Sequence, residues 1–263
     1  MTTTPTAVAA SVRVSTERSG ELVRIVLDRP KGNILDLEML AGLRAAVAAL
    51  ARAPGRAKLV VFEGAGAHFS FGASVPEHLP EKAGTLIPAF HAFFRELETL
   101  SIPTAAVVRG QCLGGAFELA LWCGMVCAEP SARLGVPETK LGVFPPIAAL
   151  ALPWRVGGAR ATQLILTGEV VEAGAAFAMG LVDTVEDDGE AALQRYFDRH
   201  LADKSAVAVR AAWRASRLRL SAALANSLPV LEAQYLRDLM RHRDPVEGLT
   251  AFLERRPPVW THD

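Results

Sequence analysis

Cysteine is scarce in the 263-residue chain: Cys112, Cys123 and Cys127 lie in apolar surroundings, with no CxxC pair and no histidine beside them. That pattern excludes a disulfide framework and argues against a zinc site, so buried free thiols in a reducing compartment are expected. Charge of either sign is not in excess, with 28 Lys/Arg against 28 Asp/Glu. Nothing global therefore points to nucleic acid or an anionic membrane. No apolar run approaches the ~18–20 residues needed to span a bilayer. Met1-Thr-Thr-Thr-Pro-Thr-Ala-Val8 has neither the basic start nor the apolar centre of a signal peptide, and a cytoplasmic protein is expected.

Several chemical motifs are missing as well. His68, His78, His91, His200, His242 and His262 show no metal-ligand spacing, so no metal is expected. Gly64-Ala-Gly66 lacks the third glycine of a dinucleotide fingerprint, and Gly72-Ala-Ser74 lacks the trailing glycine of a nucleophile elbow. These absences weigh against a nicotinamide enzyme and a serine hydrolase.

What is present is a 51% hydrophobic chain long enough for one large domain, or one domain with an appendage. Ser11–Thr16 and Glu21–Asp28 alternate around Ser19-Gly20 as a hairpin would. Asp36 is placed to cap a helix through Leu37, Leu40, Leu43, Val47 and Leu50. Short apolar strands are expected at Lys58–Glu63, Thr104–Val108, Met125–Ala128 and Ala132–Leu134. Helical spacing runs over Ile87–Leu100, from Gly114-Gly115 onward, and over Ala148–Leu166 with a break at Gly157-Gly158. Val171–Met179 and Leu181–Val185 add one helix–strand unit. Everything after Glu190 reads as helix, with breaks near Lys204, Pro229 and Asp244-Pro245.

Alternating strands and helices imply an α/β fold of stacked units with parallel pairing. A division into a core at 1–195 and a helical subdomain at 196–263 is expected. The tail from Arg195 onward holds 12 Lys/Arg against 8 Asp/Glu. A solvated helical face explains that excess; a phosphate-bearing ligand or a subunit contact is the sharper alternative.

Two carboxylates stand in unusual settings. Glu118 occupies the fourth position of an apolar helix start, Gly115-Ala-Phe-Glu-Leu-Ala-Leu-Trp122. A buried glutamate there has a raised pKa, which suits a general acid/base at neutral pH; on the exposed side of an amphipathic helix it is merely solvated. Glu138 follows Pro137 in a loop between Gly135 and Gly142, where an ordinary surface glutamate is the plain reading. Gly114 and Gly115 let backbone approach a ligand, and Phe71-Gly-Ala73-Ser-Val-Pro76 is a second small-residue turn. Two glutamates with bare N–H groups at Ala73 and Gly115 describe an acid/base site with an oxyanion hole.

The segments Leu27–Leu35, Phe69–Ala73, Gly110–Ala120, Gly135–Gly142, Leu166–Gly168 and Ala178–Asp183, in that order, resemble the enoyl-CoA hydratase/isomerase (crotonase) family. The resemblance implies a crotonase-like spiral of ββα units and a C-terminal helical region that trimerises, commonly as a dimer of trimers. It implies an acyl-CoA thioester substrate whose carbonyl sits between the N–H groups of Ala73 and Gly115. Coenzyme A belongs to that substrate and no separate cofactor is needed; it would run past Lys31, Gly32, Ser74 and Val75. Hydratases of the family keep two glutamates, matching Glu118 and Glu138, whereas isomerases commonly keep one.

Two departures stand out: Ser74 replaces the aspartate usual after Gly-Ala, and Val143-Phe-Pro-Pro146 replaces a glycine-rich stretch. With Phe69–Pro80, Arg109–Gly115, Lys140–Phe144 and the tail Glu247-Gly-Leu…Arg-Pro-Pro-Val-Trp260, they resemble a branch that hydrates cyclic conjugated dienoyl thioesters. A straight-chain or branched hydratase and an enoyl-CoA isomerase are the alternatives on the same scaffold. A catalytically idle scaffold or RNA-binding member using the basic tail is disfavoured by two intact glutamates and both small-residue turns.

Overall fold

Leu59-Val-Val-Phe62 and Ala105-Ala-Val-Val108 are continuous apolar runs, the pattern of strands covered on both faces. In the computed structural model, which describes residues 6–9 and 11–263, both faces are indeed covered. β1 (Thr6–Ala9), β2 (Val12–Glu17) and β3 (Leu22–Leu27) pair antiparallel, and Ser19 takes the left-handed conformation in the β2–β3 turn. The Asp36 side chain accepts from Met39 N at 2.9 Å, capping α1 (Leu37–Arg52). β4 (Leu59–Gly64) then returns parallel to β3.

The next turn comprises α2 (Pro80–Thr99) and β5 (Thr104–Val108), parallel to β4. After it come β6 (Gln111–Leu113), α3 (Gly115–Trp122), β7 (Met125–Ala128) and β8 (Arg133–Gly135). A 3-10 turn at Pro137–Leu141 leads to α4 (Pro146–Val156) and α5 (Gly158–Thr167). β9 (Val170–Glu172), α6 (Ala173–Ala178) and β10 (Thr184–Val185) follow, then α7 (Gly189–His200). The tail carries α8 (Ala206–Ser216), α9 (Leu218–Ala233) and α10 (Arg243–Glu254).

Among the described residues one sheet runs β1-β2-β3-β4-β5-β7-β10 and a second runs β6-β8-β9. Alternate residues of the large sheet serve different cores. Ile25, Val60, Phe62, Ala106 and Val126 join the cluster built with α1, α2 and α3, whereas Leu59, Val61, Ala105 and Cys127 pack with Leu193 and Phe197 of α7. Arg24 on the α7 face is paired with Glu17, Glu63 and Glu190. Isolated parallel bridges Leu35–Ala73 and Ser70–Cys112 extend the small sheet, so successive βα connections stack on one side. The spiral expected from the resemblance has this form.

Two helix expectations need correction. α2 begins seven residues before Ile87, with Pro80 in its first turn, and continues through Pro88. Proline suits the first turn because it lacks the N–H left over there. Inside the helix the cost of Pro88 is moderated because Gly84, four residues earlier, is open to water. Pro229 likewise does not break α9: Ala225 and Pro229 both lie on its exposed face. The three cysteines are buried free thiols, and burial pushes Cys123 up to about 12.

Two arginines of the basic tail are bound into the rest of the chain. Arg210 donates to the carbonyls of Pro54, Gly55 and Ala57. Arg217 is 8% exposed, lies 5.0 Å and 4.5 Å from the Trp122 and Trp213 ring centres, and pairs with Glu98 at 2.7 Å. Glu98 also accepts from Trp122 Nε1 at 3.0 Å and from Ser221 Oγ. This carboxylate therefore ties α2 and α3 to the tail. Removing one partner of a buried, hydrogen-bonded pair leaves the others without a match. Glu98→Ala is expected to lower stability by about 3 kcal/mol, read as a reduced urea midpoint; an unchanged midpoint would show that the tail is held by apolar packing alone.

Candidate functional site

The stacked connections determine where backbone donors fall. In the Leu35–Ala73 bridge, Leu35 N donates to Gly72 O at 2.9 Å and Ser74 N to Leu35 O at 3.2 Å. A bridge that uses the groups on either side of Ala73 leaves its own N–H on the opposite edge. Gly115 opens α3, where the first N–H groups have no partner within the helix. Gly114 before it holds φ 53°, and its N–H bonds Gly135 O at 2.8 Å, fixing the start of α3 against β8. A Cβ on Gly115 would lie 3.3 Å from Ala73 Cβ and 3.0 Å from Phe90 Cζ, so the two turns meet with no room for a larger side chain.

Asn33 pins this junction. Its amide donates to the carbonyls of Ala65, His68 and Phe69 at 3.0–3.1 Å, while Ser70 Oγ donates back to Asn33 O at 2.7 Å. Nothing local in the sequence singles out Asn33 within Leu27–Leu35, because its three acceptors are distant in the chain.

Both glutamates reach one cavity, lined also by Ala73, Gly115, Phe90, Pro145 and Pro146. Glu118 is 2% exposed, and its Oε1 accepts from Ala148 N at 2.7 Å. Pro146 is the first residue of α4, so the Glu118 carboxylate caps that helix at its free N–H groups. Burial pushes Glu118 up to about 7, and the N–H groups of Ala148 and Ile147 moderate the rise. The exposed-face alternative for Glu118 is thereby excluded.

Glu138 sits in the 3-10 turn Pro137–Leu141, ended by Gly142 at φ 75°. Its Oε1 would be 2.8 Å from a Cβ on Gly114, a close approach that, with the φ of 53° there, favours glycine. Its Oε2 is buried without a partner among the described residues. Burial, then the charge of Glu118, holds this carboxyl well above the usual range. Two carboxyl groups so placed resist being ionised together.

The remaining walls come from elements that the motif reading did not connect. His78, Ile87, His91, Phe144 and Tyr235 line the same cavity. Tyr235 lies in the tail, and no local pattern marks it. Space for the centre of a water molecule amounts to about 20 Å³ inside these walls. Pro145 and Pro146 are buried, so the stiff segment that departs from the family pattern forms part of the lining.

Lys31 and Gly32 line a separate open groove of about 530 Å³, together with Arg29, Asn33, Ala67, His68 and Phe71. Lys31, Gly32 and Asn33 all have positive φ, and a Cβ on Gly32 would strike Phe71 at 2.2 Å. Ser74 and Val75 fall elsewhere. Ser74 O lies 2.8 Å from His78 Nδ1, and Val75 packs against the cluster containing Tyr235 and Leu249. The structure thus brings together Ala73, Gly115, Glu118 and Glu138, puts Lys31 and Gly32 in the neighbouring groove, and separates Ser74 and Val75 from that groove. No helix among the described residues is long and apolar enough to cross a membrane.

The family description "Enoyl-CoA hydratase/isomerase" matches residues 17–263. The cyclohexa-1,5-dienecarbonyl-CoA hydratase of Thauera aromatica is 41% identical over 252 residues, spanning 96% of this chain and 97% of that protein. The mitochondrial methylglutaconyl-CoA hydratase of Rattus norvegicus is 31% identical, spanning 94% of this chain and 81% of that protein. Among solved structures, an enoyl-CoA hydratase from Mycobacterium avium subsp. paratuberculosis superposes with a TM-score of 0.84 at 30% identity, covering 96% and 99% of the two chains. The chain therefore belongs to the enoyl-CoA hydratase/isomerase family.

Proposed function

We propose that this protein hydrates a cyclic conjugated dienoyl-CoA thioester of the cyclohexa-1,5-diene-1-carbonyl type. The observation that carries the proposal is a pair of glutamates, Glu118 buried and Glu138 half-buried with its Oε2 enclosed, facing one cavity beside two converging backbone donors. The 41% relative, with its coverage of almost the whole chain, supports the ring-shaped acyl group. So does the cavity wall of Phe90, Phe144, Pro145 and Pro146. A six-membered ring exceeds the present space, so its entry requires these walls to part.

The Ala73 and Gly115 N–H groups polarise the thioester carbonyl and stabilise the dienolate that forms as water adds. Glu118 takes a proton from water as oxygen attacks the electrophilic carbon, and Glu138 delivers a proton to the far end of the diene. One double bond remains. The thioester itself makes the carbon electrophilic, so the proposed reaction draws on no cofactor, and coenzyme A enters with the substrate. Lys31 and Gly32 are assigned to the coenzyme A moiety through the open groove; Ser74 and Val75 support the turn that carries Ala73. The tail exposes Leu218, Val230, Phe252 and Leu253, which supports association of copies as a trimer or a dimer of trimers. Light scattering is expected to give three or six times the 28.1 kDa chain mass; a monomer at working concentration overturns that part.

Each of Glu118→Gln and Glu138→Gln is expected to lower kcat about 10²–10⁴-fold with little change in thioester affinity. As a base, Glu118 acts ionised, so kcat/KM rises as pH climbs through about 7. Glu138 acts protonated, and its elevated titration sets a fall at higher pH. Wild-type turnover in either variant removes that residue from the mechanism.

Turnover in ¹⁸O-labelled water separates the readings. Label entering cyclohexa-1,5-diene-1-carbonyl-CoA in preference to crotonyl-CoA is expected. The reverse preference selects a straight-chain hydratase, and double-bond migration without label selects an isomerase.

A further inference from the structure

The two glutamates do not exhaust the polar chemistry of the cavity. His91, on α2, is completely buried, and its Nδ1 lies 2.7 Å from Glu232 Oε2 on α9. The other ring nitrogen, Nε2, is buried with no partner among the described residues. Tyr235 is 1% exposed, and its hydroxyl is likewise unpartnered among the described residues. Both residues line the cavity that holds Glu118 and Glu138. Tyr235 stands on a π-helical turn, Gln234–Asp238, inserted directly after α9. Such turns redirect side chains and recur at functional sites.

The protonation states of these groups make them complementary. Burial pushes His91 below its usual value and Glu232 opposes that shift, so the neutral ring gives its Nδ1–H to Glu232 and offers Nε2 as an acceptor. Burial, followed by the charges of Glu138 and Glu118, raises the Tyr235 phenol, which stays a donor. The other ionisable groups near the pair are His78, held by Ser74 O, and Arg95, 3.5 Å from Glu232. A hydrocarbon acyl group satisfies neither Tyr235 nor His91. A single O–H satisfies both, by accepting from the phenol and donating to the imidazole. The space of about 20 Å³ beside the carboxyl groups matches one oxygen-sized group.

We propose that His91 and Tyr235 form a hydroxyl-binding subsite that holds the transferred oxygen, as water before addition and as the acyl hydroxyl afterwards. Glu232 acts through His91 as a positioning residue. The proposal rests on the hydratase reading and extends it. It predicts that affinity for a hydroxylated acyl thioester contains a part that affinity for the corresponding deoxy thioester lacks. The competing explanation is packing, since the Tyr235 ring centre lies 5.4 Å from Phe144 and 6.4 Å from His78.

The test uses the full-length protein and two probes. The first is the β-hydroxy cyclic acyl-CoA, followed in the dehydration direction; the second is cyclohexanecarbonyl-CoA, measured as a competitive inhibitor. Tyr235→Phe keeps the ring and removes the donor. It is expected to raise KM for the hydroxylated thioester about tenfold, leaving the inhibition constant of the deoxy thioester unchanged. His91→Leu is expected to do the same, and His91→Gln, which retains an amide acceptor, to restore part of the difference. Equal weakening of both probes, or no change in either, overturns the subsite and leaves a packing role. Wild-type protein that takes neither thioester overturns the hydratase reading, and the subsite with it.

Discussion

Two carboxyl groups buried against one cavity are the costliest feature of this structure, and much of the surrounding architecture follows from them. Neither has an arginine or lysine partner in the cavity lining. Glu118 is accommodated at the start of α4, where N–H groups otherwise wasted meet its Oε1. Glu138 rests against Gly114, whose missing side chain provides the space. An arrangement with one carboxyl ionised and one protonated is the lower-energy outcome, and it is also the arrangement that acid/base chemistry needs.

The spiral makes such a site by repetition. Each turn contributes a strand to the large sheet and a short connection to the small one, and successive connections stack at fixed spacing. Ala73 and Gly115 lie on neighbouring connections, and Glu138 follows the next, after β8. Asn33, on the connection after β3, binds the carbonyls of Ala65, His68 and Phe69 on the connection after β4 and so holds the Ala73 turn in place. Backbone donors held by such stacking require little reorganisation when charge develops on a bound oxygen.

The tail is tied into the rest of the fold. Through Glu98 it is joined to α2 and α3, with Arg217 stacked between Trp122 and Trp213. Through Glu232 and Tyr235 it supplies part of the cavity itself. Part of the basic excess that composition shows is taken up by these internal contacts: Arg210 and Arg217 each meet groups of the spiral.

The sequence alone was enough for the alternation of strands and helices, the Asp36 cap, the buried strands and the family motifs. These are local or periodic signals, and burial of both sheet faces imposes them directly on the chain. It also marked Glu118, because a carboxylate inside an apolar helix start is anomalous wherever that helix packs. Tertiary structure alone decided that Glu138 faces Glu118, that Pro146 begins the helix that Glu118 caps, and that Ser74 and Val75 stand apart from the groove of Lys31 and Gly32. The same holds for His91 and Tyr235, separated by 144 positions in the chain yet lining one cavity. A lone histidine in one helix and a lone tyrosine in another carry no local signature, since what makes them polar walls of a site is that His91 Nε2 and the Tyr235 hydroxyl find no partner among the described residues once the chain has closed around them.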